Sequence, residues 1–346
     1  MQSFETLTHA GQLRRLRRLA TAALAAYDLH EPRLTALMHG DNTTFRVDLA
    51  NGERYVLRIH RSAGKTPELV HSELSWLAAL EQEAELVVPS PVPTRAGELL
   101  TIARVEGVPE PRICVLFRWI SGRFVDDGLT PTHLQRVGAF MARLQLSGAR
   151  FNLPDGFVRG RLDNLYGKPR GISLAHARQQ ADNPEDEATA IQLVTEVCSP
   201  EDGRAVEQLI RRIRAVQRSL GHGPEAFGLI HGDLHQENYL FDRGQVHAID
   251  FDDCGYGHYV YDIAVTLFNV RGQDRTLLLR EGFLAGYRSI RPLSTEHEQY
   301  IDTFFDLRDL QMMIWSIEMR NHPAFRDRWV AEVQETMKYI KEVVER

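Results

Sequence analysis

The chain has 346 residues, enough for one large or two medium domains, and its 43% hydrophobic and 25% charged residues are ordinary for a globular protein. The formal net charge of −6 is the opposite of the basic excess on which nucleic-acid binding depends, so we expect no nucleic-acid partner. The three cysteines form no CxxC pair, which argues against a disulfide framework and a cysteine zinc site and favours a cytoplasmic protein.

The N-terminal region contains a basic amphipathic stretch, LRRLRRLATAALAAY, at residues 13–27. It lacks the pattern of a signal peptide, and no part of the chain approaches the roughly 18 consecutive apolar residues of a membrane span. A membrane-surface helix is one interpretation. We expect instead a helix that packs its leucines and alanines on a domain, and no membrane partner.

Strand patterns follow this helix. Residues 33–40, 43–49 and 54–61 alternate apolar and polar side chains between turn signals, which predicts an antiparallel meander of three strands. Residues 66–82 have a Thr-Pro start and leucines at near-helical spacing, which predicts a helix. Short strands are expected within residues 92–97, 98–104 and 112–120.

Helical patterns dominate the rest of the chain from about residue 130. Residues 152–225 are interpreted as an insert or peripheral helices, with a mobile polar portion at 179–190. A sheet-rich front and a helical back predict an α+β, two-lobed protein. The expected boundary separates residues 1–120 from residues 121–346.

The stretch LIHGDLHQENYLF, residues 229–241, contains polar residues flanked on both sides by apolar residues. The pattern NYLFDRGQVHAIDF predicts a β-hairpin that returns Asp250 close to Asn238, with Asp233 in the preceding loop. Oxygen ligands without sulfur favour a hard cation such as Mg²⁺. An Asp, an Asn five residues later and a second Asp after a hairpin are the set that kinase-type phosphoryl transfer needs.

These motifs resemble the aminoglycoside phosphotransferase and choline kinase family, whose fold is related to that of protein kinases. The resemblance rests on His231-Gly232-Asp233 with Asn238, and on IDFD at residues 249–252. It extends over nearly the whole chain and is greatest for the homoserine-kinase-like and stress-response-kinase-like branches. The resemblance implies a bilobal kinase-like fold, an N-terminal nucleotide-binding lobe and a C-terminal catalytic and acceptor-binding lobe.

The resemblance also implies roles for individual residues. Asp233 is expected to be the catalytic base or to orient the acceptor hydroxyl. Asn238 and Asp250 are expected to bind Mg²⁺. Asp252 is expected to assist, either by binding a second metal or by contacting the metal ligands without binding the metal itself. His231 is expected to brace the loop by hydrogen bonds.

This stretch has two other interpretations. A zinc site from His231 and His235 lacks a clear third ligand, and a capped turn with unrelated acids explains less of the pattern. His235 and Glu237 have no counterpart role, so we expect both to be solvated loop residues.

The nucleotide side requires a cation on the third strand and an acid on the inserted helix. Arg58 stands where the resembling family usually has lysine; an exposed strand arginine is the alternative. Glu73 is the expected partner acid, with Glu68 as its competitor. The turn with Gly40 and Asn42 lies where a phosphate-covering loop belongs, although it lacks a GxGxxG motif.

The stretch CVLFRWISG, residues 114–122, ends the sheet-rich region and is the expected hinge. Phe117, Arg118 and Trp119 are expected to line the adenine pocket. A plain buried strand explains the apolar residues equally well.

The acceptor side is expected in the C-terminal helices, which contain an acidic and aromatic set: Asp302, Asp306, Asp309, Glu318, Phe305 and Trp315. Such a wall suits a cationic hydroxyl compound. A helix with an apolar core face and a solvated acidic face is the interpretation we favour.

The sequence thus predicts an ATP- and Mg²⁺-dependent phosphotransferase acting on a hydroxyl of a small molecule, such as an amino alcohol, an amino sugar or a homoserine-like compound. A protein serine/threonine kinase on the same fold and a non-catalytic nucleotide-binding regulator are the alternatives. Oligomeric state cannot be derived from this sequence.

Overall fold

A computed structural model describes residues 3–40, 42–61, 64–125, 128–165, 171–179, 184–272, 275–322 and 325–345. Its helices are α1 (His9–Leu24), α2 (Pro67–Leu80), α3 (Pro131–Arg150), α4 (Leu174–Gln179), α5 (Pro184–Val197), α6 (Pro200–Leu220), α7 (Tyr259–Phe268), α8 (Thr276–Arg288), α9 (Thr295–Glu298), α10 (Ile301–Glu318) and α11 (Trp329–Glu345). Its strands are β1 (Arg33–His39), β2 (Thr43–Asp48), β3 (Arg54–Ile59), β4 (Thr101–Ala103), β5 (Arg112–Arg118), β6 (Phe227–Ile230), β7 (Tyr239–Asp242), β8 (Gln245–Ala248) and β9 (Gly255–His258).

The chain divides into two compact units. Unit 1 contains residues 1–83, 88–121 and 154–157, and unit 2 contains residues 84–87, 122–153 and 158–346. The sheet-rich elements fall in unit 1 and most of the helices in unit 2. The α+β class predicted from the sequence is confirmed.

Unit 1 is built on a five-stranded antiparallel sheet in the order β1-β2-β3-β5-β4. The meander of three strands and the helix after it form as the hydrophobic patterns predict. The prediction of a strand at residues 92–97 is wrong. The chain turns there instead, because Gly97 has a φ of 85° and donates its N–H to the carbonyl of Thr94 at 2.9 Å.

The basic amphipathic stretch forms α1 and packs inside unit 1. Leu16, Leu19 and Ala20 join Phe45 and Leu57 of the sheet in one apolar cluster. The expectation of a helix packed on a domain is therefore confirmed. Among the described residues, no helix has both the length and the apolar character that a membrane crossing requires.

Unit 2 is organised around α10, which packs against α6, α7 and α11. Helix α6 buries Val206, Leu209 and Ile213, so the expectation of peripheral helices is wrong for this part of residues 152–225. The polar stretch 179–190 was predicted to be mobile. Its residues 180–183 lie outside the described part, and α5 begins at Pro184.

Two short antiparallel pairs position the polar loop of unit 2. Strand β6 pairs with β9, and β7 pairs with β8 in the predicted hairpin. Arg161 forms a parallel bridge with Tyr256, so the segment 159–163 extends the β6–β9 pair on the β9 side. Residues 231–238 connect β6 to β7 and carry the candidate reactive groups.

Candidate active site

Gly232 shapes the loop that leaves β6. Its φ is 78°, a left-handed conformation that side chains rarely adopt, and an added Cβ would lie 2.3 Å from Cδ1 of Leu162. Its N–H donates to Oδ1 of Asp262 at 2.9 Å. This explains why glycine stands where the protein-kinase motif has arginine, since a long side chain has no room here.

His231 braces the loop, as the resemblance implies. Its Nε2–H donates to the carbonyl of Ile249 at 3.1 Å, and its Nδ1 accepts the N–H of Asp233 at 3.3 Å. Burial lowers the pKa of His231 to about 4, so the imidazole is neutral near pH 7. Both ring nitrogens are engaged, which leaves neither for a metal.

Asp233 has both carboxylate oxygens engaged. Oδ1 accepts from Nη2 of Arg308 at 2.6 Å, and Oδ2 accepts from Nδ2 of Asn238 at 3.1 Å. The same Asn238 nitrogen also donates to the Asp233 carbonyl at 2.8 Å. The amide therefore turns its N–H₂ toward Asp233, and its oxygen is left as a potential metal ligand.

The surroundings keep Asp233 ionised. Burial alone would raise the pKa of this carboxyl, but the Arg308 guanidinium overrides that effect, with His235 assisting, and the pKa is held at about 2. Asp233 is thus an anion at neutral pH that orients a hydrogen-bond donor effectively and binds a proton weakly.

His235 was expected to be a solvated loop residue, but the structure places it partly buried beside Asp233 and Asn238. Its Nδ1 accepts the N–H of Glu237 at 3.2 Å, while its Nε2 lies 3.4 Å from Oδ2 of Asp233 and 3.1 Å from Nδ2 of Asn238. Burial lowers the pKa of His235, but the hydrogen bond and charge of Asp233 outweigh it, so the pKa is raised overall. Glu237 is exposed, as expected.

Asp250 is brought to Asn238 by the hairpin. The N–H of Ile249 donates to the carbonyl of Asn238 at 2.9 Å, so Asp250 directly follows that contact. Asp250 is exposed and has φ 60° and ψ 65°, a left-handed conformation that Asp tolerates better than most residues. Asp252 is buried, and its carbonyl accepts from Nη2 of Arg159 at 2.6 Å.

Helix α7 supports the loop from behind. Besides Gly232, the Asp262 carboxylate binds Gln145, whose Nε2 donates to Oδ2 at 3.1 Å. Burial raises the pKa of Asp262 to about 6 against the opposing effect of these hydrogen bonds. One turn later, Oγ1 of Thr266 donates to the carbonyl of Leu234 at 2.6 Å.

A second polar cluster in unit 2 contains Asp163, His222 and His258, whose ligand atoms lie within 4.8 Å of one another. Nη2 of Arg161 lies 2.7 Å from Nε2 of His222 and 3.0 Å from Oδ2 of Asp163. His258 contributes Nδ1 at 2.6 Å from the same carboxylate oxygen. The guanidinium occupies the place that a cation would take, so the cluster is a buried ionic network.

Unit 1 contains the second predicted constellation. Nη2 of Arg58 donates to both carboxylate oxygens of Glu73, at 2.8 and 2.7 Å, and the guanidinium carbon lies 4.9 Å from the ring centroid of Phe117. Glu68 is exposed in the first turn of α2. The structure therefore pairs Arg58 with Glu73, and Arg58 is a buried residue rather than an exposed strand arginine.

The remaining predicted nucleotide residues lie at the ends of the sheet strands. Gly40 and Asn42 form the β1–β2 turn, where the N–H of Gly40 donates to the carbonyl of Asn42 at 3.0 Å. Trp119 is half-buried just after β5, and its N–H donates to the carbonyl of Arg54 at 3.1 Å. Their predicted role in binding the nucleotide stays a prediction.

Three acidic residues of α10 are bound by other side chains of this protein. Arg271 binds Asp309 through two N–H donors at 2.7 and 2.9 Å, and Arg280 binds Asp302 at 2.8 Å. The Tyr339 hydroxyl donates to Asp306 at 2.9 Å. This agrees with the favoured interpretation of an ordinary packed helix, although Asp309 is buried rather than solvated.

Sequence reasoning missed Arg308. This residue belongs to α10, 75 positions after Asp233, and no local pattern connects the two. The available signal was a cation within an otherwise acidic helix face, DLRDL at residues 306–310.

Comparison with known proteins places this geometry in a family. Residues 34–300 match the model of the phosphotransferase enzyme family. Amicoumacin kinase of Bacillus subtilis (strain 168) is 26% identical over 86% of this chain and 83% of its own length. Homoserine kinase of Neisseria meningitidis serogroup B is 28% identical over 81% of this chain and 81% of its own length.

Solved structures show the same fold. A microcompartment-associated aminopropanol kinase superposes with a TM-score of 0.69 and 27% identity over 95% of each chain. The amicoumacin kinase hAmiN, solved with AMP-PNP, Ca²⁺ and Ami, gives a TM-score of 0.72 at 19% identity over 95% of this chain and 93% of its own. The kinase-like fold expected from the sequence is confirmed. The chain belongs to the phosphotransferase enzyme family and is a small-molecule kinase.

Proposed function

We propose that this kinase transfers the γ-phosphoryl group of ATP, with Mg²⁺, to the hydroxyl of a small amine-bearing molecule, and that Asp233 orients that hydroxyl. The observation that carries the proposal is the fixed, ionised carboxylate of Asp233 beside the amide of Asn238. An anion in this setting accepts a hydrogen bond from an alcohol and aligns its oxygen for in-line attack.

The metal is assigned to Asn238 and Asp250. The donor set fits a hard cation, because the Asn238 amide keeps its oxygen available and Asp250 adds an exposed carboxylate next to it. Bound there, Mg²⁺ would neutralise charge on the phosphates of the nucleotide. Asp252 is assigned a supporting role, through a second metal or through contacts to the metal ligands. The Ca²⁺ present with AMP-PNP in the hAmiN structure supports a divalent metal in this family.

The nucleotide is assigned to Arg58, held in position by Glu73. A guanidinium buried against a carboxylate and an aromatic ring has few conformations, so it presents its charge to a phosphate at little entropic cost. Arg58 thereby replaces the lysine that the family usually has. Gly40, Asn42, Phe117 and Trp119 complete the proposed nucleotide set, and unit 2 is proposed to bind the acceptor.

The acceptor class follows from the relatives. Homoserine and aminopropanol both carry a hydroxyl and an amine. A homoserine kinase is one of the sequence relatives, and an aminopropanol kinase is one of the solved structures with the same fold. We infer that the acceptor of this chain shares that combination.

The test uses purified protein with ATP and Mg²⁺. L-homoserine, aminopropanol and an aminoglycoside are added separately, with casein as a protein acceptor for comparison. We expect ADP release that depends on one of the three amines, and a phosphate monoester of that amine in the ³¹P spectrum. ADP release that none of the amines stimulates would contradict the proposal, and phosphorylation of casein alone would support the protein-kinase alternative.

A further inference from the structure

Arg308 is the cation that α10 brings to the reactive carboxylate. Its Nη2 donates to Oδ1 of Asp233 at 2.6 Å, while Asn238 donates to Oδ2. The side chains of Arg308 and Asp233 are 18% and 20% exposed, so the pair lies at a surface that solvent reaches. One oxygen is therefore held from each side, which removes rotation of the carboxylate about its Cβ–Cγ bond.

Arg308 is itself held by Tyr261, which is in turn bound to Gln311. Its Nη1 donates to the hydroxyl of Tyr261 at 3.5 Å, and that hydroxyl donates to Oε1 of Gln311 at 2.9 Å. Gln311 lies three residues after Arg308, on the same face of α10. Its Nε2 donates to the carbonyls of Leu162 and Asn164 at 2.8 and 2.6 Å. These hydrogen bonds connect α10 to α7 and to the segment that contains Leu162 and Asn164.

The other ion pairs of α10 have the opposite arrangement. Asp302 and Asp309 are acids of α10 that bind Arg280 and Arg271 from neighbouring elements. Arg308 is a cation of α10 that binds an acid of the loop between β6 and β7. Of these three pairs, that of Arg308 is the one that includes the residue proposed to orient the acceptor.

Stability is a poor explanation for this contact. Partly exposed ion pairs contribute about 0–1 kcal/mol, because solvent screens them and two long side chains must be ordered. The gain from Arg308 is in geometry instead, since a carboxylate fixed at both oxygens keeps one orientation toward the acceptor hydroxyl.

We propose that Arg308 is a positioning residue for the reaction: it holds the Asp233 carboxylate in the orientation that aligns the acceptor hydroxyl. This inference rests on the proposed function of Asp233. Arg308 acts through Asp233, and its removal is expected to slow the transfer step while leaving nucleotide binding unaffected.

The test compares Arg308→Met and Arg308→Lys with a matched control, Arg280→Met, which breaks the more exposed pair between Arg280 of α8 and Asp302 of α10. Steady-state rates are measured with L-homoserine and with aminopropanol at varied ATP. We expect Arg308→Met to lower kcat about 100-fold with KM for ATP unchanged. Arg308→Lys should recover part of kcat, because it restores the charge without the planar geometry. Arg280→Met should behave as wild type.

A double-mutant cycle separates positioning from a general structural role. If Arg308 acts through Asp233, adding Arg308→Met to Asp233→Asn should not lower the residual rate further. Additive losses would overturn the inference, as would a wild-type kcat in Arg308→Met. A loss of kcat that merely parallels a loss of folded protein in thermal unfolding would also overturn it. Failure of the proposed function is distinguishable from failure of this inference, because the wild-type protein would then show no acceptor-dependent ADP release. That result would remove the inference as well.

Discussion

Two arginine–carboxylate pairs hold the residues proposed for phosphoryl transfer, one in each unit, and they differ in burial. The side chains of Arg58 and Glu73 are 5% and 1% exposed, whereas those of Arg308 and Asp233 are 18% and 20% exposed. A buried pair is costly to break on one side, because the partner charge stays behind without compensation. A partly exposed pair is less costly to break, since solvent reaches the remaining charge in part. The first pair should therefore matter more to folding than the second.

The largest expected effect on stability comes from Glu73→Gln. It removes the carboxylate that binds the buried Arg58 guanidinium, so we expect the free energy of unfolding to fall by about 3 kcal/mol. Chemical denaturation measures it. Glu68→Gln on the same helix is the control, and as an exposed substitution it should change stability by less than about 0.5 kcal/mol. Equal effects of the two variants would contradict the distinction drawn from burial.

Asp262 is a buried carboxylate that accepts hydrogen bonds from Gly232 and Gln145, and its titration adds a pH-dependent test to this comparison. Its pKa is raised from 3.8 to about 6 in the folded protein, so between these values the native state binds more protons than the unfolded chain. Its contribution to stability is therefore present at low pH and is lost as pH rises through about 6, by about 3 kcal/mol in total.

The measurement is the free energy of unfolding of wild type and Asp262→Asn between pH 4 and pH 7. The difference between the two proteins should shift in favour of the Asn variant as pH rises. A difference independent of pH would show that Asp262 does not titrate in this range.

Asp250→Asn tests the exposed end of the site. Asn tolerates the left-handed backbone at this position, so the fold should be retained. We expect the affinity for an ATP analogue in the presence of Mg²⁺ to fall at least about tenfold, a loss typical even of residues that only support a metal ligand. The affinity in EDTA should not change. Asp253→Asn, three residues after Asp250 and also exposed, is the matched control and should bind as wild type.

The smallest expected effect is that of Arg308→Met on stability. Because its pair with Asp233 is less buried than the Arg58–Glu73 pair, the free energy of unfolding should fall by less than it does for Glu73→Gln. Thermal unfolding of this variant beside Glu73→Gln compares the two pairs directly. A loss as large as that of Glu73→Gln would mean that the Asp233–Arg308 pair is primarily structural.

Local patterns predicted the parts of the site that lie close together in sequence. The hairpin that returns Asp250 to Asn238 follows from strand alternation around DRGQ, and the loop with Asp233 follows from its motif. The strand of Arg58 and the helix of Glu73 were also predictable, because each has a clear period. Their pairing depends on how α2 packs on the sheet, and the sequence reduced it to a choice between two glutamates.

Contacts between distant segments could not be predicted. Arg308 reaches Asp233 across 75 positions, and Gln311 reaches Leu162 across 149. Such contacts depend on how α10 packs in unit 2, and periodicity within one helix does not specify its partners. His235 was misjudged for a related reason: a polar residue in a loop looks solvated until the fold places an acid beside it.

The most direct test of the central claim is the rate of phosphoryl transfer by Asp233→Asn. This variant keeps the shape of the side chain but removes the anion that is proposed to orient the acceptor hydroxyl. We predict that kcat with the best amine acceptor falls by about 10³-fold while the affinity for the ATP analogue with Mg²⁺ is retained. Transfer at the wild-type rate would contradict the assignment of Asp233 and, with it, the mechanism proposed for this kinase.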